Sequence, residues 1–139
     1  MNVTEAARSR GRILLVEDDA EAAFFAAHAL TTMGGFDVIH TFDPVAALER
    51  ARSEPWDLVL TDMDLPGMTG LELLEALRRS DPELPVAVIT AHVSADPLTE
   101  ILRKRADAFL EKPVPPARLT AVASSLIARS RSRSPIPEE

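Results

Sequence analysis

The sequence predicts an α/β fold in which five parallel strands alternate with five helices in a doubly wound sheet. Two observations support this prediction. Short aliphatic runs of four to six residues recur along the chain, and each is followed by a longer segment whose apolar residues have helical spacing. Acidic or other polar residues follow several of these runs directly, as is typical of strands whose carboxyl ends border a ligand site.

The length and the composition of the ends set the domain boundaries. A chain of 139 residues with 46% hydrophobic residues is long enough for one domain with a core. We expect that domain to cover residues 12–129. Residues 1–11 are expected to be a disordered segment and residues 130–139 a disordered tail or the start of a linker, because both ends are polar and have few large apolar side chains.

The first βα unit has the clearest signals. Ile13–Val16 is a continuous aliphatic run of the kind that is buried on both faces of a parallel sheet. An alanine-rich helix is expected over residues 20–33, because Gly34 and Gly35 provide a stop directly after it.

The other four units are predicted from similar runs and from helix caps. Their strands are expected at 36–41, 57–61, 86–90 and 107–111, and their helices at about 44–53, from 70 onward, at about 96–104 and at about 116–129. Asp43 before Pro44 is an N-cap followed by a proline in the first helical turn. Thr69 and Glu72 have the spacing of a capping box. Residues 62–67 are expected to form a loop.

The composition excludes several classes of function. The chain has no cysteine, which excludes disulfides, cysteine-ligated metals and thiol catalysis and fits a reducing compartment. Its net charge of −7 disfavours direct binding to nucleic acid. The apolar runs are far shorter than the roughly 20 residues of a membrane helix, and the N-terminus lacks the apolar segment of a secretory signal. We therefore expect a cytoplasmic protein that binds neither nucleic acid nor a membrane.

Five polar side chains follow the predicted strands: Glu17, Asp18, Asp62, Thr90 and Lys112. The carboxyl ends of parallel strands meet at one edge of a sheet, so we expect these side chains to lie together. Three carboxylates in one crevice repel each other unless a positive charge lies among them, and Mg²⁺ prefers such oxygen ligands. An ammonium and a hydroxyl are suited to contacts with phosphate. The set therefore predicts a site that handles phosphoryl groups.

Four segments carry a resemblance to a known family. They are Ile-Leu-Leu-Val-Glu17-Asp18, Asp62-Met-Asp-Leu-Pro66-Gly67-Met-Thr-Gly70, Val-Ile-Thr90-Ala91 and Phe109-Leu-Glu-Lys112-Pro113. In composition, order and spacing they resemble the receiver domain of two-component response regulators, the CheY-like group of the flavodoxin-like folds. The resemblance covers about residues 12–129 and implies the strand order 2-1-3-4-5.

The resemblance implies a phosphoacceptor and a set of metal ligands. Asp62 is implied to be the phosphoacceptor, and Glu17 and Asp18 are implied to be the acidic pair that organises Mg²⁺. Asp62 and the main-chain carbonyl of Asp64 are implied to complete the protein ligands of that ion.

The resemblance also implies how a phosphoryl group is sensed. Thr90 would hydrogen-bond it, Lys112 would be its ion-pair partner, and Phe109 would be the aromatic switch that turns inward on activation. The Lys112-Pro113 peptide is expected to be cis, an isomer that proline readily permits.

Of the three histidines, His28 and His40 lie in no recognisable phosphotransfer context. His92 lies two positions beyond Thr90, where the resemblance implies an influence on the lifetime of the phosphoryl group, and its simplest interpretation is a solvent-facing loop residue. His28 and His40 are expected to be surface or half-buried residues of a helix and a strand.

The function implied by the resemblance is a phosphoacceptor switch in a two-component phosphorelay. Its expected donor is the phosphohistidine of a sensor histidine kinase or of a phosphotransfer protein. The domain would catalyse its own phosphorylation and dephosphorylation rather than act as an ordinary enzyme. Its output would pass to an unknown protein target, or through a phosphorylation-dependent homodimer, at the face of the fourth helix, fifth strand and fifth helix. A free-standing receiver and a piece of a longer regulator or hybrid kinase both stay open.

Two other functions are weighed against this one. Asp62 and Asp64 have the Asp-x-Asp spacing of haloacid-dehalogenase phosphatases, but that family places its nucleophile after the first strand. A receiver-like interaction module that no longer accepts phosphate is the second alternative. The competent side chains at all five strand-end positions argue against it.

Overall fold

The computed structural model describes residues 10–91 and 96–133, which contain one five-stranded sheet and five helices. The strands are β1 (Arg12–Val16), β2 (Asp37–Thr41), β3 (Leu58–Asp62), β4 (Val86–Thr90) and β5 (Ala108–Glu111). The helices are α1 (Ala20–Gly34), α2 (Pro44–Ser53), α3 (Gly70–Ser80), α4 (Pro97–Arg105) and α5 (Pro116–Arg133). All strand pairs within this five-stranded sheet are parallel and the order is β2-β1-β3-β4-β5, which confirms the predicted fold class and strand order.

Alternate side chains of the first strand enter two different cores, one on each face of the sheet. Ile13 and Leu15 pack with residues of α1 and α5, whereas Leu14 and Val16 pack with residues of α2, α3 and α4. All four side chains are at most 2% exposed. A strand that is buried on both faces has no solvent-facing position, which is why β1 is a continuous aliphatic run. Polar side chains are therefore found at the ends of β1.

Local signals define the helix ends where the sequence predicts them. The side chain of Asp43 caps α2 by accepting a hydrogen bond from the amide of Ala46. Thr69 and Glu72 make both hydrogen bonds of the capping box that begins α3. The helix α1 is closed by Gly35, whose φ of 71° lies in the left-handed region that glycine adopts readily.

The prediction that residues 62–67 form a loop is partly wrong. A short antiparallel hairpin pairs Asp64–Leu65 with Met68–Thr69, and Gly67 in its turn has a φ of 82°. Strands of two residues are too short to show the alternation of polar and apolar residues that predicts a strand. The hairpin matters for the site because it follows Asp62 directly.

Both ends of the folded region extend beyond the predicted boundaries. The amide of Arg10 donates to the carbonyl of Gly35 at 3.1 Å, so this residue of the predicted disordered segment is paired. The helix α5 runs to Arg133 rather than to about residue 129, because its Arg-Ser sequence contains no helix breaker before Pro135. Neither α5 nor any other described helix is long and apolar enough to span a membrane. Disorder over 1–9 and 134–139 concerns residues that the structure does not describe, and it stays a prediction.

Charged and aromatic contacts hold the base of the sheet, at the end opposite the strands' carboxyl termini. Arg131 Nη2 lies 3.4 Å from Asp57 Oδ2, and the guanidinium of Arg12 lies 4.2 Å from the centroid of the Trp56 ring. Trp56 Nε1 donates to the carbonyl of Arg50 at 2.9 Å. The single tryptophan of the protein is thus fixed two residues before β3 begins.

Candidate functional site

The carboxyl ends of β1, β3 and β5 bring four charged side chains to one edge of the sheet. Glu17 and Asp18 follow β1, Asp62 ends β3, and Lys112 follows β5. Carboxylate oxygens of Glu17, Asp18 and Asp62, one from each, lie within 4.8 Å of one another. The structure therefore brings together the three acidic side chains predicted for a metal site, and carboxylate oxygens are ligands that a hard cation prefers.

Lys112 bridges the two buried carboxylates of this acidic cluster. Its Nζ donates to Glu17 Oε1 at 3.0 Å and to Asp62 Oδ2 at 3.2 Å. Glu17 is 6% exposed and Asp62 is 9% exposed, whereas Asp18 is exposed. Buried charges are costly unless a charge of opposite sign is near, and Lys112 provides it. The Lys112-Pro113 peptide is cis, as predicted.

Burial and charge have opposing effects on the ionisation of these groups. Burial raises the pKa of Glu17 above its ordinary value of 4.5, and the hydrogen bond from Lys112 opposes this only in part. Burial by itself would lower the pKa of Lys112. The hydrogen bond to Glu17 and the negative charges of Asp62 and Glu17 outweigh it, so the pKa of Lys112 is raised above 10.5. Lys112 is therefore an ammonium, while the cluster retains repulsion that a bound cation would relieve.

The carboxylate of Asp62 is oriented by donors from two elements. The main-chain amide of Asp64 donates to Oδ1 at 3.1 Å, while Lys112 Nζ contacts Oδ2. The hairpin that supplies the first donor is held by Gly70, whose amide donates to the carbonyl of Met63 at 3.1 Å. A Cβ on Gly70 would lie 3.1 Å from Met63 Cα, so this close approach favours glycine. Use of the Asp64 carbonyl as a metal ligand stays a prediction.

Thr90 and Phe109 lie on the same face of the sheet. Strand pairing places Thr90 opposite Glu111 and Val88 opposite Phe109, and side chains two residues apart along a strand share a face. Thr90 is fully buried at the end of β4, and its carbonyl accepts from the amide of Lys112 at 2.7 Å. The two residues predicted to sense a phosphoryl group therefore lie on one side of two neighbouring strands.

Comparison with known proteins decides the family. Residues 13–124, which are most of the chain, match the response regulator receiver domain. The chain belongs to this family of receiver domains. The match confirms the resemblance to receiver domains, and with it the predicted role as a phosphoacceptor in a two-component system. The haloacid-dehalogenase alternative has no support.

Relatives and solved structures agree with this assignment. The receiver domain is 37% identical over 119 residues to the transcriptional regulatory protein TctD of Salmonella typhimurium, which covers 86% of this chain and 53% of TctD. The chain thus spans about half the length of this relative. A CheY-like receiver domain protein from Methanospirillum hungatei has a similar structure, with a TM-score of 0.82 and 26% identity over 88% of this chain and 98% of that one.

One further solved structure shows the same fold with a metal ion. It is the receiver domain of the sensor histidine kinase PA1611 from Pseudomonas aeruginosa, which has magnesium coordinated in its active-site cleft. The TM-score is 0.76 and the identity is 24%, over 85% of this chain and 98% of that one. At this identity the likeness shows the fold alone.

Phe109 of the receiver domain contacts a cation from the neighbouring helix. The ring is half-buried, and the guanidinium carbon of Arg103 in α4 lies 4.5 Å from its centroid. A guanidinium over an aromatic face is a cation–π contact, worth about 0.5 to 1 kcal/mol at exposed sites. The position of this ring is thus linked to α4 as well as to β5.

His40 contacts the site in a way that the sequence does not predict. The ring is half-buried, as expected, and its Nε2 lies 2.7 Å from the main-chain oxygen of Glu17. The contact depends on parallel pairing, which places His40 opposite Leu15, two residues before Glu17. No local pattern in the sequence indicates this relation. His92, by contrast, lies outside the described residues.

An apolar groove of about 510 Å³ lies beside the acidic cluster. Asp62 and Lys112 contribute to its lining, and the remaining wall is mostly apolar, from residues such as Ala22, Phe25 and Val114. Phe25 is 62% exposed at this groove. A partner that brings a group to Asp62 would therefore find apolar surface next to the charges.

Replacing Lys112 with methionine should destabilise the receiver domain by about 2 kcal/mol at neutral pH, because two buried carboxylates lose their counter-charge. The raised pKa of Lys112 means that its charge stabilises the fold below pH 10.5 and that this contribution is lost as the pH rises through the folded-state pKa. The deficit of the variant should therefore shrink at alkaline pH. It should also shrink at acid pH, where the carboxylates bind protons. Urea denaturation followed by circular dichroism measures the free energy of unfolding of the variant and of the wild type at each pH.

The matched control for this experiment is Lys104→Met, which removes the other lysine of the chain from an exposed position in α4. Surface substitutions of this kind change the free energy of unfolding by less than about 0.5 kcal/mol. A Lys112→Met variant that is as stable as the Lys104→Met control at neutral pH would show that Lys112 does not compensate the cluster.

Proposed function

We propose that this receiver domain accepts a phosphoryl group on Asp62 from the phosphohistidine of a sensor histidine kinase or of a phosphotransfer protein. The observation that carries the proposal is the position of the Asp62 carboxylate at the end of β3. It contacts Lys112 and lies within 4.8 Å of the carboxylates of Glu17 and Asp18. Membership in the receiver-domain family supports the same chemistry.

Transfer requires a carboxylate to attack a phosphoryl group, and both are anionic. A bond forms between an oxygen of Asp62 and phosphorus while the bond from phosphorus to the donor's imidazole nitrogen breaks. Positive charge facing the phosphoryl oxygens lowers this barrier. Lys112 supplies such a charge, since its Nζ is 3.2 Å from Asp62 Oδ2 and can move to a phosphoryl oxygen. The amide of Asp64 holds Oδ1 and keeps the carboxylate oriented.

We infer that the acidic cluster holds Mg²⁺, with Glu17, Asp18, Asp62 and the main-chain carbonyl of Asp64 as its protein ligands. The donor set fits this ion, because Mg²⁺ prefers oxygen ligands and carboxylate oxygens from three residues converge here. Lys112 contacts the carboxylates of Glu17 and Asp62 and no other carboxylate of the three. When bound, the ion supplies further positive charge for the phosphoryl oxygens. The magnesium in the cleft of the PA1611 receiver domain is consistent with this assignment.

The domain is proposed to act as a switch that catalyses its own phosphorylation and its own return to the free carboxylate. Thr90 would hydrogen-bond the transferred group and Lys112 would pair with it. Because the proposed donor is a kinase and the chain has no cysteine, a cytoplasmic location is part of the proposal.

The proposed output is a change of the surface formed by α4, β5 and α5. When Thr90 is drawn toward a phosphoryl oxygen, it vacates space on the face that it shares with Phe109, and this ring turns into it. The basic side chains of Arg103, Lys104 and Arg105 lie at the same surface. We propose that this surface binds a downstream protein or a second copy of the domain.

Asp62→Asn should slow phosphorylation by at least about 100-fold, because the amide is a far weaker nucleophile than a carboxylate. The protein is incubated with Mg²⁺ and acetyl phosphate, and the phosphoryl adduct is measured by mass spectrometry of the intact chain. Asp64→Asn is the matched control, since it changes an exposed carboxylate two residues away, and it should still form the adduct. A wild-type protein that forms no adduct would favour the interaction module that no longer accepts phosphate.

Asp18→Asn should have two opposite effects. Loss of one ligand should weaken Mg²⁺ binding by about 10-fold or more, while relief of repulsion with Glu17 and Asp62 should stabilise the metal-free fold by about 0.5 kcal/mol. Calorimetric titration gives the affinity and urea denaturation gives the stability. Asp19→Asn is the control, because asparagine also caps α1 and Asp19 lies outside the acidic cluster. Equal Mg²⁺ affinity in the wild type and Asp18→Asn would remove the metal assignment.

Phe109→Ala should leave adduct formation at Asp62 within about twofold of the wild type, because the phenyl ring supplies no group to the proposed transfer. It should instead weaken the response of the surface formed by α4, β5 and α5. Amide chemical shifts with and without beryllofluoride measure that response. In the wild type, changes should extend through α4 and β5, and changes confined to the loops around Asp62 would contradict the proposed switch.

A further inference from the structure

The four hydrogen-bonding groups of Glu17 all have partners. Its amide donates to the carbonyl of Thr41 at 3.1 Å, and its carbonyl oxygen lies 2.7 Å from His40 Nε2. Its Oε1 accepts from Lys112 at 3.0 Å, and its Oε2 accepts from the amide of Asp19 at 3.2 Å. The end of β2 therefore fixes the main chain of Glu17, while the site fixes its carboxylate.

His40 must be the donor in its contact with Glu17, because a carbonyl oxygen only accepts. The oxygen belongs to the peptide that joins Glu17 to Asp18, and a peptide moves as one planar unit. The hydrogen bond thus sets the orientation of the link between the two acidic residues. Among the four contacts of Glu17, it is the one made by a side chain outside the proposed site. It can be removed without changing a group that would touch metal or phosphate.

Phe42 restrains the imidazole of His40. The two ring centroids are 4.3 Å apart with an angle of 57° between the planes. Phe42 is 55% exposed, which is unfavourable for a side chain of this size in isolation. Its packing against His40 leaves the imidazole fewer orientations, and one of these points Nε2 at Glu17.

We propose that His40 is a positioning residue for the acidic pair. Its Nε2–H holds the peptide between Glu17 and Asp18 so that both carboxylates converge with that of Asp62. The inference rests on the proposed function, because it assumes that these carboxylates bind Mg²⁺. Loss of the donor should therefore lower the affinity for Mg²⁺, whereas a merely structural role would lower only the stability of the fold.

The test uses one disruptive and one conservative variant of His40. His40→Leu removes the donor and keeps a similar bulk, while His40→Gln keeps an N–H at a similar distance from the main chain. Calorimetric titration with Mg²⁺ should show about 10-fold weaker binding by His40→Leu, as for other groups that orient metal ligands, and binding by His40→Gln within about threefold of the wild type. His28→Leu removes an exposed histidine of α1 and should bind Mg²⁺ as the wild type does.

A second readout needs no metal. The amide of Asp19 donates to Glu17 Oε2, so its hydrogen exchange reports the position of the Glu17 side chain. This amide should exchange faster in His40→Leu than in the wild type, while amides in the middle of α1 should exchange as before. Phe42→Ala is a milder variant at an exposed position, and it should shift both readouts in the same direction by a smaller amount.

Two results would overturn the inference. The first is equal Mg²⁺ affinity in the wild type, His40→Leu and Phe42→Ala, even if the melting temperature falls. The second is unchanged exchange of the Asp19 amide in both variants. If the wild type itself binds no Mg²⁺ and gains no phosphoryl group, the proposed function fails, and the exchange of Asp19 then still decides whether His40 positions Glu17.

Discussion

The contact of one ammonium with two buried carboxylates is the interaction on which the rest of the site depends. Glu17 and Asp62 come from different strands and are both largely removed from water, so the fold brings two like charges together at a cost. Lys112 offsets that cost by reaching both from the end of β5. Burial still raises the pKa of Glu17 above its ordinary value, and the negative charge of Asp62 adds to this effect. Three carboxylates thus face one ammonium at this edge of the sheet, an arrangement that suits the proposed cation site.

The burial of β1 on both faces explains why the charged groups gather at one place. Its interior positions are occupied by aliphatic side chains of two cores, so functional groups lie where the chain leaves the sheet. The parallel arrangement then brings several such ends to one edge. Thr90, buried at the end of β4, and Phe109, half-buried on β5, share one face of the sheet, and Phe109 also contacts Arg103 of α4.

The sequence predicts most of the sheet and the acidic cluster because each depends on a local pattern. The charged residues of the site each follow a strand that the sequence predicts, and the family resemblance adds the strand order. The hairpin after β3 escapes prediction because two-residue strands have no period. His40 escapes for another reason: its contact with Glu17 follows from the register between β1 and β2, and register is a property of two segments at once.

The position of Trp56 has a practical consequence for spectroscopy. The indole is fixed under Arg12 at the base of the sheet, and the length of β3 separates it from Asp62. The surroundings of Trp56 change when the protein unfolds, but they do not include the acidic cluster. Because Trp56 is the only tryptophan, we expect its fluorescence to report global unfolding and to respond little to events at the acidic cluster. Unfolding can thus be followed from the base of the sheet, at the end opposite the acidic cluster.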